Sequence, residues 1–238
     1  MSIIGDMVQS TIFMYLKNDY YKKIGMLLEG AKIRELLYKY GITVRGVLHI
    51  GAHECEENGF YHTLGTNVNV IWVDGNNKKV EQMKERGFQT IYCAVLDETE
   101  RDITFNITDN SQASSILTLN HEAGYYRDIH IIDSIRCRTD TLLSFFNKIH
   151  KNAADYNFWN LDIQGSELHV LRGSKELLEN CDAIYTEVNI DYVYKDCGLI
   201  GEIDSLLGEY GFERVETHWT DVKWGDALYL KNKKHIRI

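Results

Sequence analysis

Two apolar runs in this chain each end at a residue suited to binding a ribose-containing ligand. The run Val47–Ile50, in a strand predicted over Gly46–Ile50, ends at Gly51, and a second run ends at Asp74. An acid about 20 residues after such a glycine is placed to accept hydrogen bonds from ribose hydroxyls. The further glycines that bring backbone amides close to a pyrophosphate are absent, since Ala52 and His53 follow Gly51 and the next glycine is Gly59. The pattern favours a ligand with a ribose and no phosphate, and S-adenosylmethionine is the common cofactor of that kind.

Residues next to these strand ends are candidate cofactor contacts. We predict that Gly51 and Ala52 approach the methionyl part of the cofactor. Glu54 either binds the cofactor's ammonium group or begins a helix, where the helix dipole favours an acid. Ala94 and Val95 follow a third predicted strand and either face the adenine ring or pack in the core.

Two more acids follow apolar runs and are candidates for the chemical step. Asp162 ends the run Phe158–Leu161, and Glu187 follows Ala183–Thr186. Methyl transfer from a sulfonium to an alcohol requires the hydroxyl to lose its proton, so a positioned base is useful. Asp162, Glu187 and His53 are the candidate bases. Asp162 can instead hold the cofactor's ammonium group or orient the acceptor.

A metal site is a weaker alternative for the same acids. Asp162, Glu187 and Asp191 carry hard oxygen ligands of the kind that Mg²⁺ prefers. They are scattered over two strand ends, however, and we predict no bound metal. Glu167 is expected to lie in the first turn of a helix as a partner of its dipole.

Composition excludes several classes of function. The formal net charge of −9 over 238 residues argues against nucleic acid as a partner, because that binding depends on lysine and arginine. No apolar run approaches the roughly 18–20 residues that cross a bilayer, and no signal peptide is recognisable, so we expect no membrane insertion. Five scattered cysteines without a C-x-x-C pair predict reduced thiols and a cytoplasmic location.

Strand and helix patterns alternate from residue 44 onward, which predicts a mostly parallel sheet covered by helices on both faces. The segment 221–226 is too short for a parallel crossover, so the last strand should be antiparallel. Helices are predicted over roughly 54–64, 77–86, 140–149, 166–172 and 200–210, and the helix over 140–149 is expected to be capped by Thr139 or Asp140.

Residues 7–40 carry apolar side chains at helical spacing among lysine and glutamate, which predicts one or two amphipathic helices. We therefore divide the chain into an N-terminal helical extension, 1–43, and a main domain, 44–238. The apolar stripe of the extension either packs on the chain's own core or forms a lid over the ligand crevice or a homodimer contact.

Seven segments resemble, in order, those of the FkbM family of S-adenosylmethionine-dependent methyltransferases. They are His49-Ile-Gly-Ala-His-Glu, Trp72-Val-Asp-Gly-Asn, Cys93-Ala-Val-Leu-Asp, Asn110-Ser-Gln-Ala-Ser-Ser, Leu161-Asp-Ile-Gln-Gly-Ser-Glu, Thr186-Glu-Val and Trp224-Gly-Asp-Ala-Leu-Tyr. The fifth segment, a form of the family's D-x-Q-G-x-E, is the most distinctive. The resemblance covers roughly residues 44 to 231.

The resemblance implies a class I methyltransferase fold, which is Rossmann-like with a seven-stranded sheet, and O-methylation. The expected acceptor is a hydroxyl of a sugar, a glycan or a related polyhydroxylated small molecule. The chain departs from the family in two places. Asp74 stands where many members have Glu, and His53-Glu54-Cys55 replaces smaller residues, which leaves the contacts to the cofactor's carboxylate open.

A non-catalytic module that keeps the fold as a binding or assembly partner in a glycan-synthesis system is the alternative function. Retention of Asp74, Asp162 and Glu187 together favours the enzyme. The loop Asn110–Ser115 offers uncharged polar groups that could bind sugar hydroxyls. Aromatic side chains could stack on sugar rings, although most should be core; they are Tyr125, Tyr126, Trp159, Trp219 and Trp224.

Overall fold

Nine strands make up two sheets in the structure, a computed structural model that describes residues 26–232. They are β1 (Gly46–Ile50), β2 (Asn69–Asp74), β3 (Ile91–Cys93), β4 (Asp102–Thr108), β5 (Ile131–Arg138), β6 (Phe158–Leu161), β7 (Ala183–Asn189), β8 (Phe212–Trp219) and β9 (Trp224–Lys231). Strands β4 and β5 form a separate antiparallel pair. The other seven form one sheet in the order β3-β2-β1-β6-β7-β9-β8.

The strand directions confirm the predicted class I methyltransferase sheet. Strands β3, β2, β1, β6 and β7 are parallel, so their carboxyl ends lie at one edge. Strand β9 lies antiparallel between β7 and β8. Only residues 220–223 join β8 to β9, which is too short a connection for a parallel crossover.

Helices cover both faces of the sheet. They are α1 (Gly30–Lys39), α2 (Asn58–Tyr61), α3 (Asn77–Glu85), α4 (Leu142–Lys148), α5 (Glu167–Arg172), α6 (Lys175–Leu178) and α7 (Ile200–Glu209). Side chains of α1, α2 and α3 pack on one face with Val47 and Trp72. Side chains of α4 to α7 pack on the other face with Leu48 and Trp159. Alternate residues of each central strand thus enter opposite cores, as expected for a sheet buried on both sides.

Two predicted helix starts differ from the structure. The helix predicted over 54–64 is confined to α2, because His53 (φ 40°) and Cys55 (φ 56°) take left-handed backbone conformations that a helix does not contain. Helix α4 is capped by Thr141, whose hydroxyl accepts from the Ser144 amide at 3.2 Å, and not by Thr139 or Asp140. The Thr139 hydroxyl instead donates to the Thr99 carbonyl at 2.7 Å.

The described part of the N-terminal extension packs against the main sheet. Helix α1 buries Ile33, Leu36 and Leu37 in the same core as Trp72 and Phe158. Gly30 is the first residue of this helix. Residues 7–25 of the predicted amphipathic segment lie outside the described residues, and the lid and the homodimer contact stay predictions. Within residues 26–232, no helix has the length and apolar character needed to span a membrane.

Candidate active site

A cavity of about 270 Å³ opens where the parallel strands end. Most of the predicted site residues line it, namely Gly51, Ala52, His53, Asp74, Ala94, Val95, Asp162 and Glu187. Glu54 and Asp191 do not. The structure adds wall residues that sequence reasoning missed, among them Glu56, Glu57, Phe105 and Gln164. The strand ends therefore meet in one crevice, as expected for an open α/β sheet.

Gly51 is required by the neighbouring strand end. Its φ is 92°, and a Cβ there would lie 1.7 Å from the Asp162 carbonyl oxygen. The amides of Gly51 and Ala52 both donate to the Val73 carbonyl, at 2.8 and 2.9 Å. A side chain at residue 51 would thus separate the ends of β1 and β6 and displace the Asp162 carboxylate from the cavity.

Asp74 organises the turns around the end of β2. Its Oδ2 accepts from the His53 amide at 2.8 Å, and its Oδ1 accepts from the Asn76 amide at 2.7 Å. Burial raises the pKa of Asp74, and these two backbone hydrogen bonds oppose the rise. Each carboxylate oxygen has a second lone pair, so Asp74 can still accept hydrogen bonds from a ligand in the cavity.

An apolar slot lies beside Asp74. A Cβ on Gly75 would lie 3.0 Å from the side chains of both Phe105 and Val95, so the glycine keeps this wall closely packed. Phe105 comes from the β4–β5 pair, and Ala94 and Val95 follow β3. The slot has the flat apolar surfaces that bind an aromatic base.

His53 connects the turn after β1 to the loop that follows β4. Its Nδ1 is 2.8 Å from Glu56 Oε1, and its Nε2 is 2.8 Å from the Ser111 hydroxyl. Ser111 begins a short 3₁₀ turn, Ser111–Ala113, on the cavity wall. Both ring nitrogens therefore already have partners, and the imidazole ties the loop to the sheet.

Glu57 lines the cavity, whereas Glu54, a candidate cofactor contact from the sequence, does not. Glu54 instead accepts from Lys79 Nζ at 2.7 Å and from Arg86 at 3.3 Å. Glu57 is only 6% exposed, and its Oε2 has no hydrogen-bond partner among residues 26–232, with His49 Nδ1 3.6 Å away. Burial raises the pKa of Glu57 well above its usual range.

Gln164 joins the two acids that the sequence proposed for catalysis. Its Nε2 donates to Asp162 Oδ1 at 2.7 Å and to Glu187 Oε2 at 2.9 Å. Its Oε1 accepts from the Tyr194 hydroxyl at 2.7 Å, which fixes the orientation of the amide. The glutamine of the D-x-Q segment therefore holds Asp162 and Glu187 on either side of one nitrogen atom.

Burial raises the pKa of both Asp162 and Glu187. It raises the pKa of Asp162 to about 6, against the hydrogen bond from Gln164. It raises the pKa of Glu187 well above the usual range, and the nearby charges of Glu167, Asp162 and Asp226 add to that rise. Acids with such shifts and a specific partner in a cleft are typical of functional sites.

Comparison with known families identifies the chain. The Methyltransferase FkbM domain family matches residues 47–214. The chain belongs to this family. No curated protein sequence matches it.

Solved structures with a similar arrangement are distant in sequence. Magnesium protoporphyrin IX methyltransferase from Synechocystis PCC 6803, with bound SAM, is 11% identical with a TM-score of 0.41, over 85% of this chain and 77% of that chain. A putative caffeoyl-CoA O-methyltransferase from Staphylococcus aureus is 9% identical with a TM-score of 0.45, over 91% of each chain. A SAM-dependent methyltransferase from Aquifex aeolicus is 11% identical with a TM-score of 0.39, over 92% of this chain and 97% of that chain.

Two further acids of this FkbM-domain methyltransferase lie behind the cavity wall. Asp226 is paired with Glu187 in the β7–β9 register and accepts from the Tyr185 hydroxyl and from the Leu27 amide. Glu167 Oε1 accepts from the amides of Ile163 (2.9 Å) and Gly165 (3.2 Å). Burial raises the pKa of Asp226 and of Glu167 to about 7 each. Glu167 thus holds the loop after β6 in addition to lying in the first turn of α5.

The alternative magnesium site is not assembled in the described residues. No group of three His, Cys, Asp or Glu side chains in residues 26–232 is arranged to hold a metal ion. Asp191 is exposed, and its carboxylate accepts from the Tyr125 hydroxyl at 2.7 Å. Asp162 and Glu187 are held by Gln164 instead.

Aromatic residues divide between the cavity wall and the core. Tyr126 and Trp224 line the cavity close to Ile129 and Glu187. Trp159 is 1% exposed and belongs to the core, whereas Trp219 is 42% exposed. Sequence periodicity could not separate these cases, because all of them lie near strand ends or in loops.

Proposed function

We propose that this methyltransferase transfers a methyl group from S-adenosylmethionine to a hydroxyl group of a sugar, a glycan or a related polyhydroxylated small molecule. The observation that carries the proposal is one cavity that contains both Asp74, which we assign to the ribose, and a bridged acid pair, Asp162 and Glu187. A module without catalysis would not need both groups in one cavity.

The cavity residues fit the cofactor. The slot of Val95 and Phe105 suits its adenine ring, and Asp74 suits its ribose. Three buried polar atoms in the wall, Glu57 Oε2, Ser166 Oγ and Trp224 Nε1, have no hydrogen-bond partner in the described residues. Buried polar groups without partners are rare in folded proteins and suit a polar ligand such as the cofactor's methionyl group. When bound, the cofactor supplies an electrophilic methyl group on a sulfonium.

We assign the base to the acid pair. A carboxylate with a pKa of about 6 is ionised at neutral pH and still accepts a proton readily, which suits Asp162 as the general base. Glu187, with a pKa well above its usual range, stays protonated longer and can orient the acceptor oxygen. His53 has both ring nitrogens engaged, and we assign it to holding the loop at Ser111.

Other residues of the cavity wall support a polyhydroxylated acceptor. The loop over residues 110–114 offers hydroxyl and amide groups, and Tyr126 and Trp224 offer aromatic surfaces. Sugar rings bind to this combination of polar groups and aromatic faces.

All five cysteines are free thiols, which supports the cytoplasmic location inferred from their spacing.

The experiment measures both halves of the reaction. Calorimetry tests binding of S-adenosylmethionine, with NAD as the control ligand. Mass spectrometry then tests transfer of a deuterated methyl group from the cofactor to a panel of sugars and glycosides, with a no-acceptor control. A mass gain that requires the protein supports the proposal, whereas NAD binding without binding of S-adenosylmethionine contradicts it.

A further inference from the structure

The cavity wall is strongly acidic. Five acidic side chains line it, namely Glu56, Glu57, Asp74, Asp162 and Glu187. Of the lysines and arginines in residues 26–232, only Lys79 reaches the wall, and its Nζ is 2.7 Å from Glu54 Oε1. An anionic group entering the cavity would therefore find no uncommitted lysine or arginine in the described wall.

The acids differ in how well the protein satisfies them. Asp74 accepts from two backbone amides, and Glu56 is bonded to His53 and to the Glu54 amide. Asp162 and Glu187 share one nitrogen atom of Gln164. Glu57 Oε2, in a side chain that is more than nine-tenths buried, has no hydrogen-bond partner in residues 26–232, and His49 Nδ1 lies 3.6 Å away. Asp162 and Glu187, which share one donor, can therefore accept further hydrogen bonds from a ligand, whereas Glu56 already has two partners.

Backbone amides that could bind a phosphate are also occupied. The amides of Ile163 and Gly165, in the loop after β6, donate to Glu167 Oε1. In many α/β proteins, amides at such a position bind the phosphate of a ligand. In this protein the Glu167 carboxylate accepts from both amides.

The acids in and behind the cavity wall raise one another's pKa. Burial raises the pKa of Asp162 and Glu187, and the acids Glu167 and Asp226 behind the wall add to the rise for Glu187. An anion would increase this repulsion and lose its own hydration. A hydroxyl or an ammonium group would supply the missing donors without adding negative charge.

We propose that the acceptor is uncharged or amine-bearing where it enters the cavity, and that phosphorylated and carboxylated sugars are rejected. This inference rests on the proposed function. It also orders the reaction for a sugar whose phosphate would enter the cavity: methylation must follow the hydrolysis or glycosyl transfer that removes this phosphate.

The test compares matched acceptors that differ in charge. Each set contains the methyl glycoside, the amino sugar, the uronic acid and the sugar 1-phosphate of glucose, galactose or mannose. Mass spectrometry measures kcat/KM with deuterated S-adenosylmethionine, after calorimetry has established that the cofactor binds. We expect the neutral or amine member of a set to exceed both anionic members by about 100-fold, since like charges cost several kcal/mol.

The outcomes separate this inference from the proposed function. Methylation of an anionic sugar within about tenfold of its neutral counterpart overturns the charge selectivity and leaves the proposed function intact. Absence of methylation across all sets, with the cofactor bound, overturns both the sugar acceptor and the selectivity. Failure of S-adenosylmethionine to bind overturns the proposed function itself.

A pair of variants tests whether charge is the cause. Ile129 lines the cavity and is not part of the proposed catalytic group. Ile129→Lys should raise the use of glucose 1-phosphate relative to methyl glucoside by about tenfold over Ile129→Gln, because only the lysine adds a cation. An equal ratio in the two variants overturns the electrostatic explanation, and calorimetry of the cofactor verifies that each variant is folded.

Discussion

Asp74 has two tasks: it fixes two turns through backbone amides and, in our proposal, binds the cofactor's ribose. Asp74→Ala should weaken S-adenosylmethionine binding by about 1.5–3 kcal/mol, the range for hydrogen bonds to a charged group. Calorimetry measures the change. Asp102→Ala is the control, since the Asp102 side chain is 88% exposed on β4 and away from the cavity. Unchanged affinity in Asp74→Ala would contradict the ribose assignment.

The acid pair, Asp162 and Glu187, determines how turnover should depend on pH. Asp162→Asn and Glu187→Gln should each lower kcat by about 100-fold, the scale of losing a general base. Wild-type turnover should fall as the pH drops through about 6, where Asp162 becomes protonated. Rate measurements between pH 5 and pH 9 check both effects. If both variants keep turnover within a few-fold of the wild type, His53 becomes the candidate base.

The hydrogen bond between His53 and Ser111 connects the loop after β4 to the turn after β1. Ser111→Ala removes this contact and should raise KM for the cofactor roughly two- to tenfold, the equivalent of one net hydrogen bond. Steady-state kinetics measure the effect. Ser134→Ala in β5 is the control, because that serine is exposed and does not line the cavity. Equal KM values in the two variants would show that the loop is held without His53.

Elements near the site differ in how far the sequence determines them. The bounds of β1 and β6 agree with the prediction because each is a short apolar run that ends at a glycine or an acid. The helix after β1 was predicted too long, because nothing in the residue types requires left-handed backbone at His53 and Cys55. Those two turns place Glu57 and not Glu54 in the cavity. Phe105 was missed for another reason, since only tertiary packing brings its strand against Gly75.

Buried acids should make the stability of the whole molecule depend on pH. Asp226 has a pKa of about 7 in the folded protein against 3.8 for an ordinary aspartate. Between these values the folded state binds more protons than the unfolded state, so the free energy of unfolding falls as the pH rises from about 4 to 7.

Asp226→Asn tests this dependence. The Tyr185 hydroxyl and the Leu27 amide both donate to one oxygen, which an asparagine can supply. We expect the variant to be more stable than the wild type by about 2–4 kcal/mol at pH 8, and the gain to shrink toward pH 4. Urea unfolding at several pH values measures it. A gain that does not change with pH would show that Asp226 is not the titrating group, and Asp102→Asn is the exposed control.

The stability of the folded protein should depend on helix α1. Leu37 is 4% exposed and packs in the core that contains Trp72, whereas the adjacent Tyr38 is 88% exposed. Leu37→Ala should therefore lower the free energy of unfolding by about 2–5 kcal/mol, the cost of a cavity in a core. Tyr38→Ala, one residue away on the same helix, should change it by less than about 0.5 kcal/mol. Urea unfolding compares the two variants at one pH.

Deletion of residues 1–40 removes the whole of α1 and should leave the protein insoluble or unfolded, because the face of the sheet that carries Trp72 would lose part of its cover. A soluble, cooperatively folding deletion variant would contradict this view and would return the segment to the role of a lid or a contact between copies.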